Sequence, residues 1–544
     1  MLPCWTVCTS KMDFRSRRSA VMGNKGVVAS TQPLASAAGA RILQQGGNAA
    51  DAAVSMAAAL AVTEPGSTGI GGDAFALYYD AKTRKVSAVL GNGAAPMNAP
   101  VPEEIRRRGP ESVTVPGAAA AWVDIVDSFG TMEMEEILKP AISLAEDGFP
   151  VAPVTAYYWK DSETLLRETN AKAFLVDGER APRAGEVFKN PDLGQVLRNV
   201  ASDLKKGFYS GRTAAAILDA VNSRGGHMCT EDLEEHQTEF ADPISTSYRG
   251  VDVYEVPPPT HGIAALMAMN IAENFDLVSE ASGVHNSGPH LHKLVESMRL
   301  AFADAKAFVA DPRTGEVPVD ILLAKDYAKE RSEQIQDKAL EHANAGDLSA
   351  FKHPDTVYFC VVDADGNACS MINSVFFAFG TAIVPDGCGF TLHNRGSNFR
   401  CDSSHPNAFQ AGKRPYHTII PAMATKNGEL FAAFGITGGF NQPQAQLQVL
   451  SNLVDWGMDA QQALDAPRFL SGDAFEGTGR QLSLEDGIAE ETVEYLRSRG
   501  HDTIKVGGSG RVIFGRGQVV VYDPKTNVAV GGTDPRADGI VIAI

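Results

Sequence analysis

The sequence predicts an α+β protein, because helix-forming and strand-forming patterns occupy separate long stretches of the chain. Helical periodicity dominates residues 118–225 and 262–345. Strand patterns dominate residues 356–399, 417–437 and 511–544. The 544-residue chain is 44% hydrophobic and 21% charged, a composition typical of a globular protein with a large buried core.

The first elements are delimited by glycine and proline. A short strand that begins at Gly26 leads to a helix at Pro33–Gln45, and an alanine-rich helix follows at Ala49–Val62. Proline and glycine directly after this second helix stop it. The glycine-rich loop 67–73 then leads into a strand at Ala74–Tyr79.

Residues 356–376 have the pattern of a β-hairpin. Thr356–Asp363 forms one strand, Ala-Asp-Gly-Asn at 364–367 supplies the turn, and Ala368–Phe376 forms the other strand. Hairpin pairing brings the end of the second strand back beside Thr356. Ser374 is therefore expected to hydrogen-bond the threonine hydroxyl, although a polar strand end without further function is the plainer alternative.

The pair Asp355-Thr356 at the head of this hairpin suits an N-terminal-nucleophile hydrolase. If the chain cuts itself before Thr356, that residue carries both a hydroxyl nucleophile and an α-amine base. An unperturbed α-amine titrates at about 7.7–8.0, so part of it is neutral at physiological pH. Cleavage would give a large subunit at 26–355, behind a disordered leader at 1–25, and a small subunit at 356–544. Taken alone, an Asp-Thr pair is far more often an ordinary strand start.

Composition argues against several other classes of protein. The chain has 48 Lys and Arg against 66 Asp and Glu, a formal net charge of −18, which disfavours nucleic-acid and anionic-membrane partners. The sequence has neither a secretory signal pattern nor an apolar run long enough to span a bilayer. Its seven cysteines include no Cys-x-x-Cys pair, so reduced thiols and a cytoplasmic location are expected.

Two patterns resemble cofactor sites but lack the required context. The Gly-x-Gly-x-x-Ala at 69–74 follows a helix and opens into a strand, the reverse of a dinucleotide-binding turn. His290 and His292 with Glu296 could bind a metal from one helix face, but no further ligand follows at metal spacing. We therefore expect no metal and no organic cofactor.

Several sequence blocks, taken in their order and spacing, resemble the γ-glutamyltranspeptidase family from about Gly26 to the C-terminus. The blocks are Gly46–Ala52, Thr68–Asp73, Val115–Gly117, Pro140–Ile142, Ala145–Gly148, Asp355-Thr356, Lys413–Pro415, Thr437–Gly439 and Gly531–Arg536. The resemblance implies a four-layer αββα N-terminal-nucleophile fold that large and small subunits form together. It also implies self-cleavage and acyl transfer from an amide.

Carried over position by position, the resemblance implies catalytic roles for four residues. Thr356 matches the nucleophile and Ser374 matches a hydroxyl that orients it. Gly438 and Gly439 match a pair whose backbone N–H groups form the oxyanion hole. Glycines let two N–H groups converge without side-chain obstruction, and one such donor typically contributes about 2.7–4 kcal/mol to the transition state. A tight turn after a strand is the plainer interpretation of the glycine pair.

The chain departs from the family where the acyl group is recognised. Asn92 lies in a segment that lacks the family's arginine for a substrate α-carboxylate. Arg395 and Asn398 align with the glutamine and aspartate that hold the α-amino group, and His417-Thr418 aligns with a serine pair. Asn398 in place of the aspartate removes a negative charge, and Arg395 in place of the glutamine adds a positive one. Both changes favour an acyl group that bears a carboxylate, held by Arg395 and His417. For Arg395, a structural ion pair is the alternative.

These departures are similar to the branch with oxamate amidohydrolase and glutaryl-cephalosporin-acylase-like members. The sequence therefore predicts a self-processing amidohydrolase that hydrolyses a small carboxylate-bearing amide through a threonine acyl-enzyme. The segment from Phe399 to Lys413 is shorter than in lidded members, which favours hydrolysis over transpeptidation. Two alternatives stay open: a γ-glutamyltransferase or glutathione hydrolase with altered contacts, and an uncleaved relative that acts as a binding protein.

Overall fold

The computed structural model describes residues 18–340, 356–472 and 480–544. Its strands, in chain order, are β1 (Val21–Gly23), β2 (Gly26–Ser30), β3 (Asp73–Asp80), β4 (Lys85–Gly91), β5 (Phe149–Pro150), β6 (Val187–Phe188), β7 (Glu239–Ala241), β8 (Ile244–Tyr248), β9 (Val251–Glu255), β10 (Val357–Asp363), β11 (Ala368–Ser374), β12 (Ala422–Lys426), β13 (Glu429–Ile436), β14 (Phe469–Ser471), β15 (Gln481–Glu485), β16 (Asp502–Val506), β17 (Gly517–Asp523), β18 (Val528–Thr533) and β19 (Ile540–Ala543).

The helices, in the same order, are α1 (Pro33–Gln44), α2 (Ala49–Thr63), α3 (Ala118–Phe129), α4 (Met134–Asp147), α5 (Pro153–Asp161), α6 (Glu163–Glu168), α7 (Pro191–Asp203), α8 (Lys206–Tyr209), α9 (Gly211–Asn222), α10 (Thr230–Glu234), α11 (Gly262–Ala272), α12 (Gly288–Phe308), α13 (Val319–Leu322), α14 (Lys325–Ser332), α15 (Asn441–Val454), α16 (Ala460–Asp465) and α17 (Glu490–Ser498). Among these helices, none combines the length and the apolar character that crossing a bilayer requires.

Two large sheets pack face to face through an apolar core. Within the described residues each has seven strands, in the orders β1-β18-β17-β13-β12-β9-β8 and β19-β2-β10-β11-β3-β4-β7. The core between them includes Phe75 and Tyr358 from one sheet and Met423 and Val520 from the other, all buried. The second sheet mixes strands from before and after Thr356, so cleavage there would leave two interleaved pieces rather than two separable domains.

Helices cover the outer face of each sheet and complete four layers. α1, α2, α3, α4 and α7 pack on the sheet that contains β10, whereas α11, α12 and α15 pack on the sheet that contains β13. The alanine-rich α2 is buried along its whole length, since its small side chains let α1, α4 and β10 approach closely. A capping box between Asn48 and Asp51 fixes where α2 begins. The αββα arrangement is thus confirmed.

Two local expectations from the sequence are wrong. The predicted leader 1–25 includes β1, which pairs antiparallel with β18, and a three-residue strand is too short to give a clear sequence pattern. Residues 1–17 of that leader lie outside the described residues. The strand-rich stretch predicted to reach 399 ends at Ser374, because positive φ angles at Phe376, Phe379 and Ala382 (78°, 56° and 58°) turn the chain out of the sheet.

Candidate active site

Three polar residues lie in a row across neighbouring strands β10, β11 and β3. Val357 pairs with Asn373, and Ser374 pairs with Asp73, so Thr356 at the head of β10 lies opposite Ser374. Directly opposed residues share one face of a sheet. Thr356 Oγ1 lies 3.1 Å from Ser374 Oγ, and both residues are 1% exposed. This is the contact that the predicted hairpin requires.

The hydrogen bonds on Ser374 direct its hydroxyl proton toward Thr356. Its Oγ accepts the backbone N–H of Phe376 at 2.9 Å, and Nη2 of Arg395 lies 3.5 Å from it. A hydroxyl oxygen has two acceptor positions and one proton. With donors approaching those positions, the arrangement favours Ser374 O–H as the donor to Thr356 Oγ1.

Arg516 anchors the backbone of Thr356, and no sequence signal had pointed to it. Its Nη2 donates to the Thr356 carbonyl oxygen at 3.2 Å, and its backbone N–H donates to Thr437 Oγ1 at 3.0 Å. Nη1 of the same guanidinium lies 3.4 Å from a Glu64 carboxylate oxygen. Arg516 therefore links Thr356 to the loop that contains the predicted oxyanion glycines. Asp355, the predicted cleavage partner, lies outside the described residues.

Gly438 and Gly439 form the turn between β13 and the N-terminus of α15. Their φ angles are +112° and +57°, in the region that favours glycine. A Cβ added at Gly438 would lie 3.2 Å from the Cβ of Asn441. Backbone N–H groups at a helix N-terminus favour negative charge through the helix dipole. The loop thus has the backbone conformation and electrostatic setting that the predicted oxyanion hole needs.

Arg395 is fully buried one side chain away from Thr356. Its Nη1 donates to Thr418 Oγ1 at 2.7 Å, and its guanidinium stacks 4.1 Å above the Phe376 ring. It makes no ion pair with any residue that the structure describes. Burial lowers the pKa of Arg395 to about 9, and Asp73 opposes that shift. A cation in this position suits an anionic ligand better than the alternative of a structural ion pair.

Asp73 and His417 form a buried pair beside Arg395. His417 Nε2 lies 2.9 Å from Asp73 Oδ2, and Ile419 N–H donates to His417 Nδ1 at 3.4 Å. Burial and the nearby Arg395 hold the pKa of His417 well below its ordinary range, so the ring is neutral. Its Nδ1 accepts a hydrogen bond, so Nε2 carries the proton and donates to Asp73. Sequence reasoning had treated Asp73 only as the end of a glycine motif.

Burial raises the pKa of Asp73 to about 7, while Arg395 and backbone N–H groups oppose the shift. A second imidazole, His393, lies beside this carboxyl group with Nδ1 3.5 Å from Asp73 Oδ2. Its Nε2 lies 3.0 Å from the Thr114 carbonyl and carries the proton, and its Nδ1 accepts the Arg395 backbone N–H at 3.4 Å. Burial lowers the pKa of His393 to about 3, so this ring is neutral and adds no positive charge that would stabilise the Asp73 anion. Asp73 therefore titrates close to neutral pH.

Asn92 and Asn398 are placed differently from the other predicted binding residues. Asn92 follows β4 and is 4% exposed, and its amide atoms have no hydrogen-bond partner among the described residues. The residue before it, Gly91, pairs with Ala74, which directly follows Asp73, and this puts Asn92 at the edge of the cluster. Asn398 Nδ2 donates to the Tyr416 carbonyl at 2.9 Å, so part of its amide holds a loop.

Of the candidate metal ligands on α12, His292 and Glu296 gain a neighbour that the sequence did not suggest, whereas His290 lies apart from them, accepting the Asn286 backbone N–H at 3.2 Å. His292, Glu296 and His501 come together in a buried cluster whose ligand atoms could surround a metal ion. Arg299 instead donates to Glu296 at 2.8 Å and lies 3.4 Å from His501 Nδ1. His501 Nε2 then meets His292 Nδ1 at 2.8 Å, and His292 Nε2 meets the Gln336 carbonyl at 2.7 Å. This one-way hydrogen-bond chain fits neutral imidazoles, and the guanidinium would repel a metal ion.

Comparison with known proteins supplies the family. The γ-glutamyltranspeptidase family model matches residues 35–544. The glutathione hydrolase-like YwrD proenzyme of Bacillus subtilis is 36% identical over 96% of this chain and 99% of its own length. The oxamate amidohydrolase proenzyme of Klebsiella pneumoniae is 31% identical over 96% of this chain and 99% of its own length. The crystal structure of a cephalosporin acylase from Bacillus halodurans has a TM-score of 0.89 and 38% identity, and 98% of both chains is covered.

These relatives confirm the predicted family and the likeness to its amidohydrolase and acylase branch. Together with the four-layer fold, they also confirm the predicted enzyme class. The chain belongs to the γ-glutamyltranspeptidase family, whose N-terminal-nucleophile members are hydrolases and transferases that act on amides.

Proposed function

We propose that this protein is a self-processing amidohydrolase whose nucleophile is Thr356, freed by cleavage after Asp355. The contact between Thr356 Oγ1 and Ser374 Oγ, with Arg395 on the other side of Ser374, carries the proposal. Relatives that match nearly the whole chain are named proenzymes, which supports self-processing. Because strands from both predicted subunits share one sheet, the cleaved pieces would stay together as a heterodimer.

Processing begins with attack of the Thr356 hydroxyl on the Asp355 carbonyl carbon. The C–N bond breaks in an N-to-O acyl shift, and water hydrolyses the resulting ester. The products are a carboxylate on Asp355 and a free α-amine on Thr356. Ser374 supports the attack by donating its hydroxyl proton to the Thr356 oxygen, where negative charge develops.

Turnover then uses two groups of the same residue. The Thr356 α-amine takes the hydroxyl proton as the oxygen attacks the substrate amide carbon, and it later protonates the leaving nitrogen. The N–H groups of Gly438 and Gly439 stabilise the tetrahedral oxyanion. Water finally hydrolyses the acyl-enzyme. Holding nucleophile and base together in this way reaches effective molarities of about 10⁵–10⁸ M in favourable cases.

The substrate class follows from the charges around Thr356. Arg395, with Thr418 beside it, offers a buried cation to a carboxylate on the acyl group. Asn398 leaves no acid at the position that the resemblance assigns to an α-amino group. Names of two relatives, an oxamate amidohydrolase and a cephalosporin acylase, fit a preference for such acyl groups.

The test combines processing with substrate choice. On a denaturing gel the 57.8 kDa chain should yield fragments of about 38 and about 20 kDa, scaled by length, and the smaller should begin Thr-Val-Tyr-Phe. Thr356→Ala should remain whole, whereas Thr356→Ser should still be cleaved. The processed enzyme should release p-nitroaniline faster from oxalyl, succinyl or glutaryl amides than from the γ-glutamyl amide.

Glutathione hydrolysis is the second candidate, because a relative named glutathione hydrolase-like is 36% identical. Release of glutamate from glutathione at a rate matching or exceeding that for the anionic acyl amides would favour it. A single intact band under all conditions would instead favour a non-catalytic binding protein.

A further inference from the structure

A small cavity of about 100 Å³ lies beside the catalytic residues, between the end of α12 and the segment 395–407. We call it the outer pocket, and its lining includes Lys306, Asn398, Arg400, His405, Tyr416 and Phe440. The Tyr416 and Phe440 rings are stacked, with centroids 5.8 Å apart and planes inclined by 14°. The pocket therefore combines an aromatic surface with a polar rim.

The outer pocket is built from the same three segments as the candidate active site. Tyr416 directly precedes His417-Thr418, which hold Asp73 and Arg395. Phe440 directly follows the predicted oxyanion glycines. Asn398 ends the short helical turn that starts at Arg395. A substrate bound at Thr356 would thus have the outer pocket as a direct neighbour.

The charge of the outer pocket is opposite to that of the protein. Its rim carries Lys306 and Arg400, and none of the described residues that line it is a carboxylate. The whole chain, in contrast, has a formal net charge of −18. Arg400 forms no ion pair with a described residue, and the Lys306 ammonium lies 5.3 Å from the centre of the Phe440 ring. A cation such as Arg400, with no ion-pair partner among the described residues, favours an anionic ligand.

Two uncharged donors complete the pocket. Asn407 N–H donates to His405 Nδ1 at 2.9 Å, and burial beside Arg400 lowers the pKa of His405, so its ring is neutral with Nε2–H as donor. Tyr416 is 6% exposed, and its hydroxyl has no hydrogen-bond partner among the described residues. Buried polar groups are nearly always hydrogen-bonded in native proteins, so this hydroxyl points to a ligand atom that is not part of the chain.

We propose that the outer pocket is a carboxylate subsite that binds an anionic group of the substrate lying too far from the scissile amide to be held by Arg395. Arg400 supplies the charge, and Tyr416 O–H and His405 Nε2–H supply hydrogen bonds. The inference rests on the proposed function for its kinetic consequence, while the binding itself does not depend on catalysis. The carboxylate belongs either to a long acyl chain or to the leaving amine, and the same pocket chemistry serves both.

Two pairs of amides separate these sources. The acyl pair compares glutaryl anilide with oxalyl anilide, so that only the former carries a carboxylate far from the scissile bond. The leaving-group pair compares succinyl anilide with the succinyl amide of 3-aminobenzoate. In each pair, the quantity measured is kcat/KM for the glutaryl or aminobenzoate amide divided by kcat/KM for its partner. For the pair that uses the pocket, Arg400→Ala and Tyr416→Phe should each lower this ratio by about tenfold relative to the wild-type enzyme. Arg183→Ala, at an exposed arginine between α6 and β6, should keep both wild-type ratios.

Direct binding keeps the two proposals distinguishable. Calorimetry with glutarate and with isophthalate should give weaker binding to Arg400→Ala than to the processed wild-type protein, whether or not any amide is turned over. One result would overturn the subsite and leave the proposed function standing. In that case both variants hydrolyse the anionic amides with wild-type kcat/KM ratios, and the binding of both dicarboxylates is unchanged. Loss of binding in a protein that hydrolyses none of the amides would sustain the subsite alone.

Discussion

Replacement of Asp73 by asparagine should abolish a pH dependence that the buried Asp73–His417 pair imposes on substrate binding. The pKa of Asp73 is raised to about 7 by burial, so the carboxyl group is protonated below neutral pH and anionic above it. Asparagine has nearly the same size, and its oxygen can still accept the Nε2–H of His417. The substitution therefore removes the charge with little change in packing.

The size of the effect follows from how close Asp73 lies to the acyl carboxylate. Asp73 is the cross-strand neighbour of Ser374, which Arg395 approaches within 3.5 Å, so a carboxylate on Arg395 lies roughly 7 Å from Asp73. Two like charges at about 7 Å repel by about 2.4 kcal/mol at an effective dielectric constant of about 20. Repulsion of that size weakens anion binding by about 50-fold.

KM for an anionic acyl amide should accordingly rise by about 50-fold from about pH 6 to about pH 9 in the wild-type enzyme. In Asp73→Asn it should stay near the low value throughout. Asp365→Asn, at an exposed turn of the β10–β11 hairpin, is the matched control and should keep the wild-type profile. An Asp73→Asn enzyme whose KM still climbs by the wild-type factor would refute the assigned titration and the repulsion together.

Three further predictions concern the hydroxyl pair, the glycine loop and the histidine chain. Ser374→Ala removes the hydrogen bond to Thr356 Oγ1 and should slow both self-cleavage and turnover by about 10- to 100-fold, followed by gel time courses, whereas Ser374→Thr keeps a hydroxyl and should recover most of the rate. Gly438→Ala should lower kcat by about 10²–10³-fold. The control Gly428→Ala, also at positive φ but with open space around it, should lower only the stability of the protein. Equal kcat values for these two variants would contradict the oxyanion assignment. Burial and Arg299 lower the pKa of His501 to about 3, so between about pH 6.5 and about pH 3 the unfolded chain binds more protons than the folded protein. The free energy of unfolding should therefore fall as the pH drops through this range. His501→Gln should flatten that part of a Tm–pH profile, and an unchanged slope would contradict the prediction.

Local signals in the sequence were sufficient for the elements that carry Thr356. The β10–β11 hairpin has a largely apolar, strand-forming run on each side of an Asp-Gly turn, so its pairing and the Thr356–Ser374 contact could be predicted. The α2 helix is marked by its cap at Asn48 and by its alanine content. The four-layer arrangement needed the family resemblance, because hydrophobic patterns alone do not specify how two sheets pair.

Residues that act across long sequence separations were missed for a physical reason. Arg516 meets the Thr356 carbonyl across 160 positions, and His501 meets His292 across 209. Neither has a local pattern that distinguishes it from a surface residue. Asp73 was visible as the end of a glycine motif, but its role depends on His417 and Arg395, which only the packing of the two sheets brings near. The irregular backbone after Ser374 was read as strand, since its aromatic residues have high strand propensity.

The central claim, that freed Thr356 carries the acyl group, is tested most directly by trapping the acyl-enzyme. The processed protein would be mixed with glutaryl anilide, quenched in acid within the first turnover, and digested for mass spectrometry. The account predicts a glutaryl adduct on the peptide that begins at Thr356, absent after full hydrolysis. Turnover accompanied by an adduct on another residue, or by an unmodified Thr356 peptide at every quench time, would contradict it.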